Sequence, residues 1–543
     1  MFRPITLGIA LVTTMTLSSC AAISTVSPGP SDTLLVGPTF LTSNGERTAL
    51  RIAESGLITA TYTANERLPE LPHRRLPGAF ASAGLIDAHL HLAWLGRVDE
   101  ELDLSDTTSL EDLVTRVTRF QKAHPYLERI VGHGWDETRW PAGPATPLPT
   151  ARDLPDLGVP IVLGRIDGHA LWLDQHALTR IAASLGDPVI AKAPGFRVIT
   201  DERGPTGVLV DPPQAIRDLL SPRATGEALT RHLQRGLEKA SQAGLVEVHD
   251  MATSVPELLA MAALPHPLPA RIAVWLDDSE ASLSWLAAHP NGPFALTPEV
   301  WVAGMKLFAD GALGSRGAAL KDDYSDQPGH KGQLADPADL TRKAIRAAEL
   351  GYPVAIHAIG DHANLVALEI IEAAQRHSTR PLVARIEHAQ VLDLGDLDRF
   401  RASRTVASMQ PSHAISDMRW AEQRLGPRIA GAYAWRTLHR HGIPLAFGSD
   451  APIEAVDPCL GLHAATTRTT REHQPAGGWR PEETLGPAEA LAAFTTGPVR
   501  AAPLPIAGRN GLLEVGARAE LTLFATDPRT TPWPEARVVG THR

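Results

Sequence analysis

The residues best suited to chemistry in this chain are histidines, a lysine and an aspartate that recur where short apolar runs end. His89 and His91 are separated by one residue in the run GLIDAHLHL. On a β-strand, residues i and i+2 point to the same side, so both rings can bind one ion. Imidazole suits zinc, iron and related metals. Because isolated His-x-His pairs also occur on surfaces and in cores, this pair needs further ligands before it indicates a metal site.

Three further ligand candidates follow apolar runs later in the chain. One run ends at His357, another is followed by His388, and a third is followed by Asp450 in the segment FGSDAP. In barrels of parallel strands, the active site is assembled at the carboxyl ends of the strands. We therefore expect these side chains to meet at one barrel mouth and to bind a metal there.

Lys306 ends the strand-like run WVAGMK and should reach the same mouth. An ammonium group has no lone pair and cannot bind a cation. Burial beside positive ions favours the neutral amine, which can take up carbon dioxide and form a carbamate with two oxygens that could bridge two metals. The residues alone favour the simpler alternative, a structural lysine paired with Asp310.

The elements that must position these residues are short strands alternating with helical patterns. Such alternation predicts a mainly parallel sheet, and we expect a (β/α)8 TIM barrel over residues 84–499. This length exceeds that of a simple barrel, so we expect a large insertion at about 104–237. Residues 32–83 and 500–543 contain short β-patterns and should form a small β-sandwich domain from both chain ends. His249 should end the third barrel strand.

The N-terminal segment is typical of an exported bacterial lipoprotein. Residues 1–20 contain Arg3, an apolar stretch too short to span a bilayer comfortably, and the ending LSSC, which resembles a lipobox. We expect a lipoprotein signal peptide over 1–20, lipidation at Cys20 and a tether over 21–31. These features predict an extracytoplasmic protein that contacts a bacterial membrane only through its lipid anchor. An ordinary secretory signal is the alternative.

Composition excludes several other classes of protein. The 543 residues carry a formal charge of −10, which argues against a nucleic-acid partner. Two cysteines in the chain exclude a disulfide scaffold and a cysteine-ligated zinc ribbon.

The order of these motifs resembles one known family over nearly the whole mature chain. GLIDAHLHL, GHGWD (132–136), RIDGHA (165–170), KLFADGALGSR (306–316), AIHAIGD, RIEHAQ and FGSDAP occur in sequence. They are similar to the motifs of the metal-dependent amidohydrolase superfamily, in particular its family 3 branch, which includes N-substituted formamide deformylases. Two departures are Gly317, where threonine is usual, and Ala519-Glu520, where Ala-Asp is usual.

The resemblance implies a centre of two divalent metal ions, with zinc expected, and a carbamate formed from carbon dioxide on Lys306. It implies one metal bound by His89, His91, the Lys306 carbamate and Asp450. The second metal would share Lys306 and bind His357 and His388. A metal-bridged hydroxide would attack a carbonyl carbon, with Asp450 as the general base and then the general acid.

The substrate-binding residues are expected around this centre. An arginine fork or a histidine could hold a substrate carbonyl or carboxylate, and an aromatic ring could form a pocket wall. The candidates are His169, Arg316, Trp135, Gln410 and His413.

These observations leave three interpretations open. The leading one is a hydrolase of a non-peptide C–N bond in a small amide-type molecule. The second is a mononuclear deaminase or cyclic-amide hydrolase on the same barrel, although deaminase-like relatives usually place a glutamate shortly after the histidine that corresponds to His357. The third is a non-catalytic lipoprotein that binds a ligand. The oligomeric state is open, and a homodimer is compatible with the sequence.

Overall fold

The computed structural model describes residues 32–143, 146–191, 193, 195–531 and 536–543. The expected signal peptide (1–20), the lipidation site Cys20 and the tether (21–31) lie outside the described residues. Within the described part of the chain, no helix has the length and apolar character needed to cross a bilayer.

Both chain ends contribute strands to one seven-stranded sheet, the chain-end sheet. Its hydrogen-bonded order is β22-β21-β5-β1-β2-β3, with β4 paired to β1. Its strands are β1 (Thr33–Thr42), β2 (Gly45–Ile52), β3 (Ile58–Tyr62), β4 (His73–Arg75), β5 (Phe80–Ala83), β21 (Leu521–Phe524) and β22 (Val538–His542).

The central sheet contains eight parallel strands that form a nearly closed barrel. These are β6 (Leu85–Leu90), β13 (Leu245–Thr253), β14 (Arg271–Leu276), β16 (Val300–Phe308), β17 (Val354–Ala358), β18 (Arg385–His388), β19 (Val406–Met409) and β20 (Leu445–Phe447). A short strand β15 (Phe294–Ala295) pairs antiparallel with β16. β6, β14 and β17 are buried along their whole length, as expected for a parallel sheet covered by helices. The expected TIM-barrel fold is confirmed.

The barrel order corrects one expectation about strand numbering. The strand that contains His249 pairs directly with β6, so it is the second barrel strand and not the third.

That intervening segment forms its own sheet, the inserted sheet, in the order β11-β12-β10-β9-β8-β7. Its strands are β7 (Leu102–Asp103), β8 (Ile130–Trp135), β9 (Ile161–Arg165), β10 (Ala170–Leu173), β11 (Arg197–Asp201) and β12 (Gly204–Val210). The sheet has its own apolar core, which includes Leu113, Trp135, Leu163 and Trp172.

The helices named here pack around these sheets. They are α1 (Leu92–Arg97), α2 (Leu110–Ala123), α3 (Gln175–Leu185), α4 (Pro188–Ala191), α5 (Gln214–Leu220), α6 (Gly226–Gln242), α7 (Val255–Ala262), α8 (Glu280–Ala288), α9 (Pro337–Glu349), α10 (Asp361–His377), α11 (Leu397–Ala402), α12 (Pro411–Asp417), α13 (Ala421–Leu425), α14 (Trp435–Arg440), α15 (Pro458–Thr467), α16 (Pro487–Ala493) and α17 (Thr496–Ala501). Helix α6 packs against α1 and leads directly into β13, so it belongs to the barrel and not to the inserted sheet.

The barrel closes where the end of β20 meets the end of β6. The Asp450 amide donates to the His89 carbonyl at 2.7 Å, and Leu90 and Ala451 form a parallel bridge. Gly448 permits this approach, because a Cβ atom there would lie 2.5 Å from the His89 nitrogen. Closure therefore brings Asp450 beside the His-x-His pair.

Candidate active site

The strand ends place the predicted ligands side by side. His89 lies in β6, His357 in β17, and His388 is the last residue of β18. His388 and Asp450 adopt left-handed backbone conformations, with φ angles of 71° and 60°. Such conformations cost about 1–3 kcal/mol in non-glycine residues and concentrate at functional sites. The barrel thus holds two of the predicted ligands in strained positions at its mouth.

Asp450 lies between two groups of nitrogen atoms. Its Oδ1 is 3.4 Å from His89 Nε2 and 3.2 Å from His91 Nε2. Its Oδ2 is 3.7 Å from Nε2 of His413. Ligand atoms lie within 4.8 Å of one another in two sets, His89–His91–Asp450 and His388–His413–Asp450. The donor chemistry of both sets fits a divalent cation such as zinc.

Three of these histidines have an acceptor at Nδ1, which fixes the ring and turns the Nε2 lone pair toward the site. The acceptors are the Glu387 carboxylate for His89 at 2.6 Å, the Met251 carbonyl for His91 at 3.2 Å, and the Gln410 side-chain oxygen for His388 at 2.8 Å. This arrangement is typical of metal-binding histidines, whose second nitrogen is usually held by such a partner.

Electrostatics favour neutral imidazoles beside an ionised carboxylate. Burial and the nearby Lys306 lower the pKa of His89 to about 4. Burial also holds the pKa values of His357 and His388 well below the ordinary histidine value. Burial alone would raise the pKa of Asp450, but His89 and His91 outweigh it and hold that pKa below the usual range. Neutral rings at His89, His357 and His388 and an ionised Asp450 are the protonation states that cation binding requires. His91 differs, because Asp450 outweighs burial there and raises the pKa of the ring.

Lys306 is completely buried, and its Nζ has no hydrogen-bond partner among the described residues. Burial lowers the pKa of this amine to about 8. The alternative pairing with Asp310 does not occur, because that carboxylate accepts from the backbone amides of Ala319, Ile359 and Gly360 at 2.8–3.0 Å. An unpartnered buried amine is costly and fits a lysine that is modified or beside a metal.

His357 lies next to these groups but outside both sets of converging atoms. Its ring centroid is 4.5 Å from that of His388, and its Nε2 is 3.4 Å from Asp310 Oδ1. The structure therefore brings His357 to the site, while His413 occupies the position closer to Asp450.

A cavity of about 780 Å³ opens above the site. The residues that line it include five of the candidates, namely His169, His357, His388, His413 and Asp450. His169 lies in the turn between β9 and β10 of the inserted sheet. Its Nδ1 is 2.5 Å from Asp211 Oδ1, and its ring centroid is 5.3 Å from that of His357. The inserted sheet thus supplies part of the cavity wall.

The structure explains why glycine replaces the usual threonine at position 317. A Cβ atom on Gly317 would lie 2.5 Å from Asp211 Oδ2, so a side chain there would displace the carboxylate that contacts His169. Glycine at position 317 therefore leaves room for the contact between Asp211 and His169 in the cavity wall.

The structure places three of the predicted substrate-binding residues outside the described lining of the cavity. Trp135 is fully buried in the core of the inserted sheet, where its indole donates to the Leu163 carbonyl at 3.0 Å. Arg316 pairs with Asp326 at 2.6 Å and is not among the described residues that line the cavity. Gln410 lies beneath the cavity surface, where it contacts His388. Sequence position alone did not show that these side chains point away from the cavity.

Two residues at the site were not predicted. Glu387 contacts His89, and Asp211 contacts His169. A signal for Glu387 was available, because a carboxylate within an apolar barrel strand needs a buried partner. Asp211 gave no comparable signal, since its partner lies 42 residues away.

Comparisons with known proteins agree with this fold and site. The amidohydrolase family profile Amidohydro_3 matches residues 76–542. YtcJ of Bacillus subtilis (strain 168) is 33% identical over 504 residues, 89% of this chain and 92% of that protein. The N-substituted formamide deformylase of Arthrobacter pascens is 24% identical over 502 residues, 88% of this chain and 89% of the deformylase.

A solved structure shows the same architecture. The crystal structure of an uncharacterized metal-dependent hydrolase from Pyrococcus horikoshii OT3 superposes with a TM-score of 0.72 and 27% identity. The match covers 92% of this chain and 99% of that one. Taken with the family match over residues 76–542, these likenesses show that the chain belongs to the amidohydrolase family of metal-dependent hydrolases.

Proposed function

We propose that this protein hydrolyses a non-peptide C–N bond of a small amide-type molecule, using two divalent cations, with zinc as the expected metal. The observation that carries the proposal is the position of Asp450. Its Oδ1 faces Nε2 of His89 and His91, its Oδ2 faces Nε2 of His413, and ligand atoms of His388, His413 and Asp450 lie within 4.8 Å of one another. The fully buried, unpartnered Lys306 amine next to these groups supports it.

Residues of the site would hold the two cations as follows. His89, His91, Asp450 and the carbamate of Lys306 would hold one cation, and the same carbamate with His357 and His388 would hold the other. The carbamate forms when the neutral Lys306 amine adds to the carbon of carbon dioxide, which makes one N–C bond and releases one proton. His413 lies on the Asp450 side and faces the cavity.

The chemistry follows from the positions of the side chains. When bound, the cations lower the pKa of a water molecule and polarise the substrate carbonyl. Asp450 accepts the proton from the attacking water and passes it to the departing nitrogen. His169 lies across the cavity with its Nδ1 directed at Asp211. Burial alone would lower the pKa of His169, but Asp211 outweighs burial and raises it, and the protonated ring donates a hydrogen bond to the substrate through Nε2.

The bond class is supported by the cavity and by one relative. A volume of about 780 Å³ is in the range of small-molecule sites. The relative from Arthrobacter pascens is named as an N-substituted formamide deformylase, and formamides contain a C–N bond of this class. Its 24% identity supports the reaction class but leaves the acyl group and the amine to experiment.

The proposal is tested by metal analysis and a substrate screen on the purified mature chain. We expect about two metal ions per chain and amine release from a member of a panel of formamides, N-acyl amino acids and cyclic amides. One ion per chain together with cyclic-amide or deaminase activity would favour the mononuclear interpretation. A chain that binds no zinc or manganese after metal reconstitution would contradict the proposal.

We also propose an extracytoplasmic location through lipidation at Cys20. The sequence LSSC at 17–20 supports this proposal. Replacement Cys20→Ala should move the protein from the membrane fraction to the soluble extracytoplasmic fraction, as measured by fractionation and immunoblotting. Equal membrane association of both proteins would contradict it.

A further inference from the structure

Glu387 is a fully buried carboxylate that is directed at a predicted metal ligand. Its Oε2 lies 2.6 Å from His89 Nδ1. An ionised carboxylate can only accept, so the proton of the His89 ring must be on Nδ1. The Nε2 lone pair then faces Asp450 Oδ1 at 3.4 Å.

Arg385 holds the Glu387 carboxylate in place. Both residues are fully buried, and Arg385 donates to Glu387 through Nε and Nη2, with the Nη2 contact at 2.9 Å. The same guanidinium donates to Ser408 Oγ at 2.6 Å and to the Ala88 carbonyl at 2.5 Å. A guanidinium fork bound at several points fixes both the position and the direction of the carboxylate.

The contacts continue beyond Arg385 through the barrel interior. Arg385 Nη1 lies 3.0 Å from His249 Nδ1, and His249 Nε2 lies 3.1 Å from Glu247. Glu247 in turn pairs with Arg271 and Arg509. Each buried charge therefore has an opposite charge beside it, which is the condition for keeping ions inside a protein.

The same surroundings keep Glu387 ionised. The Arg385 guanidinium donates to the carboxylate through two nitrogens, so the negative charge of Glu387 is paired inside the barrel. The neighbouring histidines have neutral acceptors instead, a backbone carbonyl for His91 and an amide oxygen for His388. A charged partner makes the ring it contacts a stronger ligand and orients it more firmly.

We infer that Glu387, braced by Arg385, is a positioning residue that sets the tautomer and direction of His89 and so strengthens the cation site at His89, His91 and Asp450. This inference rests on the proposed function, because it concerns the metal that the function requires. It assigns to Glu387 no contact with the substrate.

The test is zinc binding by wild type and Glu387→Gln, each stripped of metal and titrated with zinc against a chromogenic chelator. Glutamine must present its oxygen to Arg385 and its NH2 to His89, which forces the ring proton onto Nε2 and blocks the ligand atom. We expect the affinity of one zinc ion to fall about 10–100-fold while the other is bound as in wild type. The matched control is Asp361→Asn, a buried carboxyl whose Oδ1 accepts from the Lys321 and His362 amides; it should leave both affinities unchanged.

A second measurement decides the inference if Glu387→Gln does not fold. In metal-free wild type labelled with 15N-histidine, the His89 signals are identified by their loss in His89→Gln. A proton on Nδ1 supports the inference, and a proton on Nε2 overturns it. Equal zinc affinities in wild type and Glu387→Gln overturn it while leaving the proposed function intact, whereas a wild type that binds no zinc overturns both.

Discussion

At the residue scale, the site depends on two buried side chains, an aspartate that must be ionised and a lysine that must be neutral. Asp450 is surrounded by histidine nitrogens that keep it ionised. Lys306 is buried without a hydrogen-bond partner among the described residues, and burial favours its neutral form. The carboxylate is ready to bind a cation and accept a proton. The amine must first be modified before it can bind a cation at all.

Replacement Asp450→Asn separates the ability of this residue to bind a cation from its ability to accept a proton. The amide keeps an oxygen for metal binding but cannot accept a proton, so we expect turnover to fall at least about 10³-fold while most of the metal is retained. Amine release gives the rate, and elemental analysis gives the metal content. Asp361→Asn is the control, and unchanged turnover in Asp450→Asn would remove this residue as the proton carrier.

Activation of the metal-free protein should depend on pH through Lys306. Only the neutral amine adds carbon dioxide, and burial lowers the pKa of Lys306 to about 8, so the reactive fraction rises as pH increases through that value. We expect the rate of reactivation by zinc to rise with pH between about 7 and 9 and with added bicarbonate. The measurement is the time course of recovered activity, and a rate independent of both pH and bicarbonate would count against the carbamate.

At the element scale, the contact between β6 and the end of β20 positions Asp450. Replacement Gly448→Ala puts a Cβ atom 2.5 Å from the His89 nitrogen and 2.7 Å from Asp87 Oδ1. Overpacking of this kind costs about 1–3 kcal/mol and should separate Asp450 from His89 and His91. We expect a lower thermal midpoint and weaker zinc binding.

The matched control for this prediction is Gly164→Ala in β9. Its Cβ atom would meet its nearest neighbour at 3.7 Å, an ordinary van der Waals distance, and should change neither property. If Gly448→Ala binds zinc as tightly as wild type, the strand contact does not set the ligand geometry.

The inserted sheet contributes to the cavity through the contact between Asp211 and His169. Replacement Gly317→Ala would place a Cβ atom 2.5 Å from Asp211 Oδ2 and push this carboxylate away from the histidine. We expect KM to rise several-fold with zinc content and kcat nearly unchanged, because the predicted metal ligands are not touched. Steady-state kinetics with the substrate found in the screen give the two parameters, and a change in kcat alone would contradict a substrate-positioning role for His169.

At the scale of the whole molecule, the sequence allowed prediction of the barrel and of a site at its mouth. His89, His357 and His388 lie on strands whose apolar character is local, so their positions follow from strand periodicity and from the common direction of parallel strands. Trp135 and Arg316 could not be placed in this way. Their environments depend on contacts within the inserted sheet and with Asp326, which local patterns do not reveal.

The C-terminal part of the chain also stabilises the barrel interior, because Arg509 pairs there with Glu247. Their side chains are 2% and 0% exposed, and Arg509 Nε donates to Glu247 at 2.9 Å. Burial alone would raise the pKa of Glu247, but Arg509, His249 and Arg271 hold it well below the ordinary value. A carboxyl with a depressed pKa stabilises the fold above its unfolded-state pKa of about 4.3, and this contribution is lost as the pH falls toward the folded-state value.

Replacement Arg509→Met should therefore destabilise the protein by about 3–5 kcal/mol near neutral pH, because it removes one partner of a buried ion pair. The difference from wild type should be largest above pH 5 and shrink in more acidic solution, where protonation weakens the pairing in wild type as well. Urea unfolding followed by tryptophan fluorescence across this range measures both effects. Arg342→Met, at an exposed pair with Asp339 on α9, is the control and should show no measurable change in the free energy of unfolding. If Arg509→Met lowers the free energy of unfolding by the same amount at every pH, packing and not the charge of Glu247 links the chain end to the barrel.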